Sequence, residues 1–192
     1  TTFVSLPYAL GLTDDEIKTA PHISYPVFEN KPNWKVEGRK FHIGIAWDGS
    51  PLNDIAKYRA IPFRHFLELY EVPGIQLYSL QCDDRAKDLL DAGAAALVRD
   101  LKPYIRDVTD SLAILPHLDL VITAESAPGH ICALAGKECW IPYSYLGRDY
   151  RLGHDGSDQI WSKHRIFQQG PDRDWMPVFG EICGALRERL DG

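Results

Sequence analysis

Residues 118–139 read L-D-L-V-I-T-A-E-S-A-P-G-H-I-C-A-L-A-G-K-E-C. The apolar run Leu118, Leu120, Val121 and Ile122 reads as a buried strand, 123–126 as a polar turn, and 128–134 as a short helix of small residues stopped by Gly136. Strand, tight turn and helix is how α/β proteins build an anion site. The first helical turn offers unpaired backbone N–H groups and the positive end of the helix dipole. Ser126 stands at the N-cap position and Pro128 in the first turn, where its missing N–H costs nothing. His130 follows Ser126 by about one helical turn, so both can face one ligand. Glu125 falls just before the cap, at the strand's carboxyl end, where open α/β sheets bind ligands.

Working outward, 39–47 (R-K-F-H-I-G-I-A-W) reads as a central parallel strand, being almost continuously apolar. A long polar loop, 48–61, follows it, and loops of that length at a strand end are often functional. It carries Gly49, Ser50, Lys57 and Arg59, whose amides and cations suit a diphosphate. Helix 62–71 turns Phe63, Phe66, Leu67 and Tyr70 to one face and ends at Pro73-Gly74. The pattern then predicts strand 75–80, ending at Gln81, helix 83–93 with Ala86, Leu89 and Leu90 inward, and a short strand around 96–98. Helix 110–115, strands 138–143 and 165–168, and an amphipathic closing helix 174–190 complete the reading. Alternating strands and helices imply a mostly parallel, Rossmann-like sheet covered by helices on both faces. All the unusual polar residues then collect on one edge, the carboxyl ends of the strands. Residues 1–38, rich in proline, read as an irregular arm or interlobe linker, and 39–192 as one domain.

The bulk numbers exclude several functions. The chain has 192 residues and a formal net charge of −6, so it lacks the basic field that nucleic acids and anionic membranes require. Its four cysteines form no C-x-x-C pair and read as free thiols of a reducing, cytoplasmic setting. No apolar run reaches membrane length, and no His/Asp/Glu cluster has metal-ligand spacing. Neither G-x-G-x-x-G nor G-x-x-x-x-G-K-[ST] occurs, which removes the dinucleotide and P-loop signatures. Ser126 lies in E-S-A-P rather than G-x-S-x-G, so a hydrolase built on Ser126 and His130 ranks last.

Several segments in order resemble one family. I-G-I-A-W-D-G-S-P at 43–51, R-A-I-P-F at 59–63, Y-S-L-Q at 78–81, D-L-V-I-T-A-E-S-A-P-G-H-I-C-A-L-A-G-K-E-C-W at 119–140 and R-I-F-Q-Q at 165–169 are similar to the carboxyl-terminal half of glycosyltransferases. The nearest are the heptosyltransferase-like family 9 enzymes and the transferase domains found behind tetratricopeptide repeats. The resemblance implies a GT-B architecture, two Rossmann-like lobes about a cleft, with this lobe binding the nucleotide-sugar donor. It assigns Ser126 and the helix start to donor phosphate, with His130 beside them. Lys57 or Arg59 would serve as the basic residue facing the diphosphate, and Gln81 and Glu125 would stand at nucleoside or sugar. Glu125 stands where the family usually has Asp. The donor is substrate, so no cofactor is implied; the acceptor is unspecified. A catalytic base is expected outside this chain, on an amino-terminal lobe or another part of a longer protein, since no first Rossmann lobe is legible in 1–40. The rival expectation is a transferase-like binding or assembly module without its catalytic lobe.

Overall fold

The computed structural model describes residues 10–11, 13, 24–25, 34–38, 41–49, 56–146 and 163–192. Ser50 and the side chain of Lys57 lie outside them. Six strands form one parallel sheet: β1 (Phe41–Ala46), β2 (Ile75–Ser79), β3 (Arg99–Asp100), β4 (Leu120–Thr123), β5 (Cys139–Tyr143) and β6 (His164–Gln168). Their spatial order is β3-β2-β1-β4-β5-β6. Chain order therefore reverses between β1 and β4, and that reversal opens a crevice at their carboxyl ends.

Among the described residues the α-helices are α1 (Ala56–Arg59), α2 (Arg64–Leu67), α3 (Asp88–Asp91), α4 (Val108–Ile114), α5 (Ala127–Leu134) and α6 (Met176–Asp191). The strands' apolar runs are buried on both faces. Ile43 and Ile45, Ile75 and Leu77, Leu120 and Ile122, and Trp140 join the core under α2 and α6. Tyr78, Leu80, Val121, Cys139, Ile141 and Tyr143 join the core on the opposite face. Gly44 sits mid-strand because the second face is tight there: a Cβ would come within 2.7 Å of Leu118 Cδ1 and 2.8 Å of Leu80 Cδ1. Trp34, 3% exposed, packs into this second core. Its ring meets Tyr78 edge-on at 5.4 Å, and the Val36 N–H donates to the Tyr78 hydroxyl at 2.9 Å.

Three local expectations change. The loop after β1 contains the helix α1. The helix foreseen at 83–93 is a 3₁₀ turn, Asp84–Lys87, running into the short α3. A 3₁₀ turn rotates each residue further than an α-turn. Leu89 therefore points inward, while Leu90 is 68% exposed and Ala86 only half-buried. The third strand falls at Arg99–Asp100, just beyond the stretch foreseen. All four cysteines are free thiols, with Cys82 exposed and the other three buried.

Candidate functional site

The crevice at the strand-order reversal has a volume of about 490 Å³. Ala46, Leu80, Ile105, Val108 and Ile131 give it an apolar floor, and Asp48, Asp83, Arg106, Asp107 and Ser126 give it a polar rim. Two helix starts face it, and they differ. At α4 the Asp107 carboxylate caps the helix, accepting from the N–H groups of Thr109 (2.8 Å) and Asp110 (3.1 Å). At α5 Ser126 has the extended backbone of an N-cap residue, but its side chain makes no cap bond. Its hydroxyl turns back instead, donating to the Ala124 carbonyl at 3.1 Å and lying 3.2 Å from Thr123 Oγ1. Pro128 has no N–H, and that of Gly129 is engaged by the Ser126 carbonyl at 3.1 Å. The Ala127 N–H has no partner among the described residues. This open end of a helix carries partial positive charge. Gly49 lies against it, since a Cβ there would be 3.5 Å from Ser126 Cβ.

The far end of α5 is closed. Gly136 adopts φ 64°. Its N–H donates to the Ala133 carbonyl at 3.0 Å, and that of Lys137 to Cys132 at 2.8 Å. Reading the stop from Gly136 is thus matched by a Schellman-type cap.

Gln81 is 4% exposed and knits two loops together. Its Oε1 accepts from the N–H groups of Trp47 (3.0 Å) and Asp48 (3.1 Å). Its Nε2 donates to the Asp48 carbonyl at 3.3 Å and to Asp83 Oδ1 at 2.9 Å. Gln81 lines the crevice while its amide is engaged by protein, so its visible role is to fix the walls. Arg85 adds to this by pairing with Asp48 (3.1 Å) and Asp88 (3.1 Å). Burial pushes the Asp48 carboxyl above its ordinary pKa, and nearby Asp83 and Asp88 add to that; the Gly49 N–H and Arg85 pull it back.

Arg59 and Glu125 meet across the strand-order reversal. Arg59 Nη1 lies 3.0 Å from Glu125 Oε1, with the glutamate side chain 4% exposed and the arginine 21%. Arg59 Nε is buried with no hydrogen-bond partner among the described residues. His130 stands one turn along α5 on an exposed position and does not line the crevice. The fold therefore brings together Gly49, Ser126 and Gln81 around the crevice and ties Arg59 to Glu125 beside it. Arg106 and Asp107 were missed in the sequence. The R-D-V-T-D run, an acid placed three residues before another acid at a helix start, was the available signal. No group of three or more His, Cys, Asp or Glu among the described residues could hold a metal ion. No helix there is long and apolar enough to cross a membrane.

No protein-family model matches the chain, and no curated protein matches it in sequence. Among solved structures, the ADP-heptose LPS heptosyltransferase II of E. coli is similar with a TM-score of 0.57 at 16% identity, over 83% of this chain and 50% of its own. A β-Kdo 2,4 transferase, KpsC of Thermosulfurimonas dismutans, aligns with a TM-score of 0.41 at 17% identity, over 81% of this chain and 47% of its own. The first likeness shows the fold: a six-stranded parallel, Rossmann-like sheet matching one lobe of a GT-B glycosyltransferase. The chain spans about half the length of that enzyme.

Proposed function

We propose that this chain is the donor-binding lobe of a nucleotide-sugar glycosyltransferase, corresponding to the carboxyl-terminal half of a GT-B enzyme. The observation that carries this reading is the open start of α5 at the strand-order reversal, facing a crevice with an apolar floor. A nucleoside fits such a crevice with its base on Leu80, Ile105 and Ile131. The Asp48 and Asp83 carboxylates can accept from ribose hydroxyls. A diphosphate is repelled from that acidic side and fits the other, at the Ala127 N–H and Ser126. Arg59 can add a fixed positive charge there, oriented by Glu125. His130, on the outer side of the same helix, would serve the sugar end of the donor. Charge of this kind favours the nucleoside diphosphate as leaving group when the glycosidic bond forms. Deprotonation of the acceptor hydroxyl needs a base, which this reading places on another part of the protein.

Titration of the folded chain with ADP-, UDP- and GDP-sugars, followed by calorimetry and by backbone amide NMR, tests this. Saturable binding to at least one donor, with shifts at Gly49 and Ala127, is expected. No saturable binding to any of them would overturn it.

A further inference from the structure

On the other flank of Arg59 lies a second pocket of about 340 Å³. Tyr58 and Ala60 bound it on one side, Ser144 and Leu146 after β5 on another, and Arg173 to Trp175 before α6 on the third. Arg64 and Arg173 both line it, with His65 and Asp174 as the other titratable side chains besides Tyr58 among the described residues.

Most of the described arginines outside this pocket are engaged. Arg59, Arg85, Arg106, Arg187 and Arg189 are each paired with a carboxylate. Arg165 lies over the rings of Trp140 and Phe167. Arg64 and Arg173 have no ion pair among the described residues, although both line one pocket. Two of the titratable side chains around them make bonds of their own. Asp174 Oδ1 accepts from the Met176 N–H at 3.0 Å, and His65 Nδ1 is 2.7 Å from Glu68.

The pocket is also held in shape. Gln169, 3% exposed, accepts from the Tyr145 N–H at 3.1 Å and donates to the Arg173 carbonyl at 2.7 Å. One buried amide thus joins two walls. Arg173 has φ 59°, the only positive φ at a non-glycine among the described residues. A side chain in the left-handed region is unfavourable, and the Gln169 bond together with the Arg173 N–H on the Gly170 carbonyl (3.0 Å) hold it there. Strain kept at a cationic pocket points to use of the side chain.

We propose that this pocket binds an anionic group, a carboxylate or a phosphate monoester, on the sugar or acceptor handled by the lobe; this rests on the glycosyltransferase reading. Two unpaired guanidiniums supply planar, forked donors of the kind that recognise both groups. The molecule's substrate class is thereby narrowed from sugars in general to acidic ones.

Backbone amide NMR of the full chain, in phosphate-free buffer, tests it with four probes: inorganic phosphate, glucose 6-phosphate, glucuronate and glucose. Phosphates and glucuronate should shift Tyr145, Gln169 and Arg173, and glucose should not. A response to phosphates alone, or to glucuronate alone, would name the source of the anion. R173G keeps the left-handed backbone without strain, so its Tm should hold or rise while anion affinity falls about ten-fold, as expected for one lost charge-assisted hydrogen bond. R64Q should weaken binding similarly. Equal shifts with glucose, or anion binding unchanged in both variants, would overturn the proposal. So would silence at these amides while a nucleotide-sugar still shifts Gly49 and Ala127, and in that case the functional reading would stand. Shifts here without any nucleotide-sugar binding would overturn that reading instead.

Discussion

At the amino ends of the strands, polar side chains are locked together; at the carboxyl ends, several are left open. His42 Nδ1 bonds the Tyr78 hydroxyl at 2.9 Å, the His42 N–H donates to Asp119 at 2.6 Å, and Lys137 Nζ donates to the Leu118 carbonyl. Burial lowers the pKa of the Lys137 ammonium, with nearby Asp119 countering it. This end holds Trp34 and Val36 onto the sheet. Among the described residues, the other end has an uncapped helix start, an Arg59 Nε without a hydrogen-bond partner and two arginines without an ion pair. Buried polar groups that find partners specify the fold, and polar groups left without them, buried like Arg59 Nε or exposed like Arg64 and Arg173, mark where a ligand can supply bonds.

The largest effect should come from the locked end. Trp34→Ala removes a nearly buried aromatic and should cost about 3–5 kcal/mol, read as a fall in Tm, while any nucleotide-sugar affinity of the protein that remains folded is unchanged. A large affinity loss in that folded fraction would break the division between the two ends. Ser126→Ala is expected to do the reverse. Its hydroxyl does not cap α5, so stability should change by less than about 0.5 kcal/mol, well below the usual cost of losing an N-cap. Donor affinity should fall several-fold. A Tm loss as large as that of Asp107→Ala, which removes a real cap, would show that the α5 start is closed in solution.

The smallest effect is a pH dependence at the start of α4. The Arg106 side chain, helped by the Arg106 backbone N–H, lowers the pKa of the Asp110 carboxyl to about 2. A depressed acid pKa favours the folded state above the unfolded-state value of about 4. That contribution is lost as pH falls through about 2. Carboxyl NMR should show Asp110 titrating below its ordinary range in the wild type and returning toward that range in Arg106→Gln.

The sheet was legible because its central strands, β1, β2, β4 and β5, are buried on both faces. Continuous apolar runs such as 41–46 and 120–123 leave little choice of element, and the alternation with helices gave the parallel arrangement. Gly136 likewise announced its own cap. Local pattern failed at Leu90, where propensity does not distinguish a 3₁₀ turn from an α-turn, so the inward face was assigned with the wrong period. At the site, residue types were legible and partners were not. Gln81 and Glu125 read as groups facing a ligand, yet Gln81 spends its amide on residues 47, 48 and 83, and Glu125 meets Arg59, 66 positions back in the chain. Whether a serine hydroxyl caps a helix or turns away depends on Thr123 and Ala124 in three dimensions. No spacing rule contains that.

The order of the strands also bears on how the protein is made. β1 pairs with β2 early in the chain, but its other neighbour is β4, with His42 reaching Asp119 across 77 positions. Closing so long a loop is slow compared with forming local pairs. During synthesis, β1, β2 and β3 can assemble while the β4–α5 segment has yet to emerge. The edge of β1 that later borders the crevice would stay exposed over that interval. The crevice thus forms only once the β4–α5 segment has emerged, and a chain stalled before residue 120 would present an apolar strand edge to chaperones.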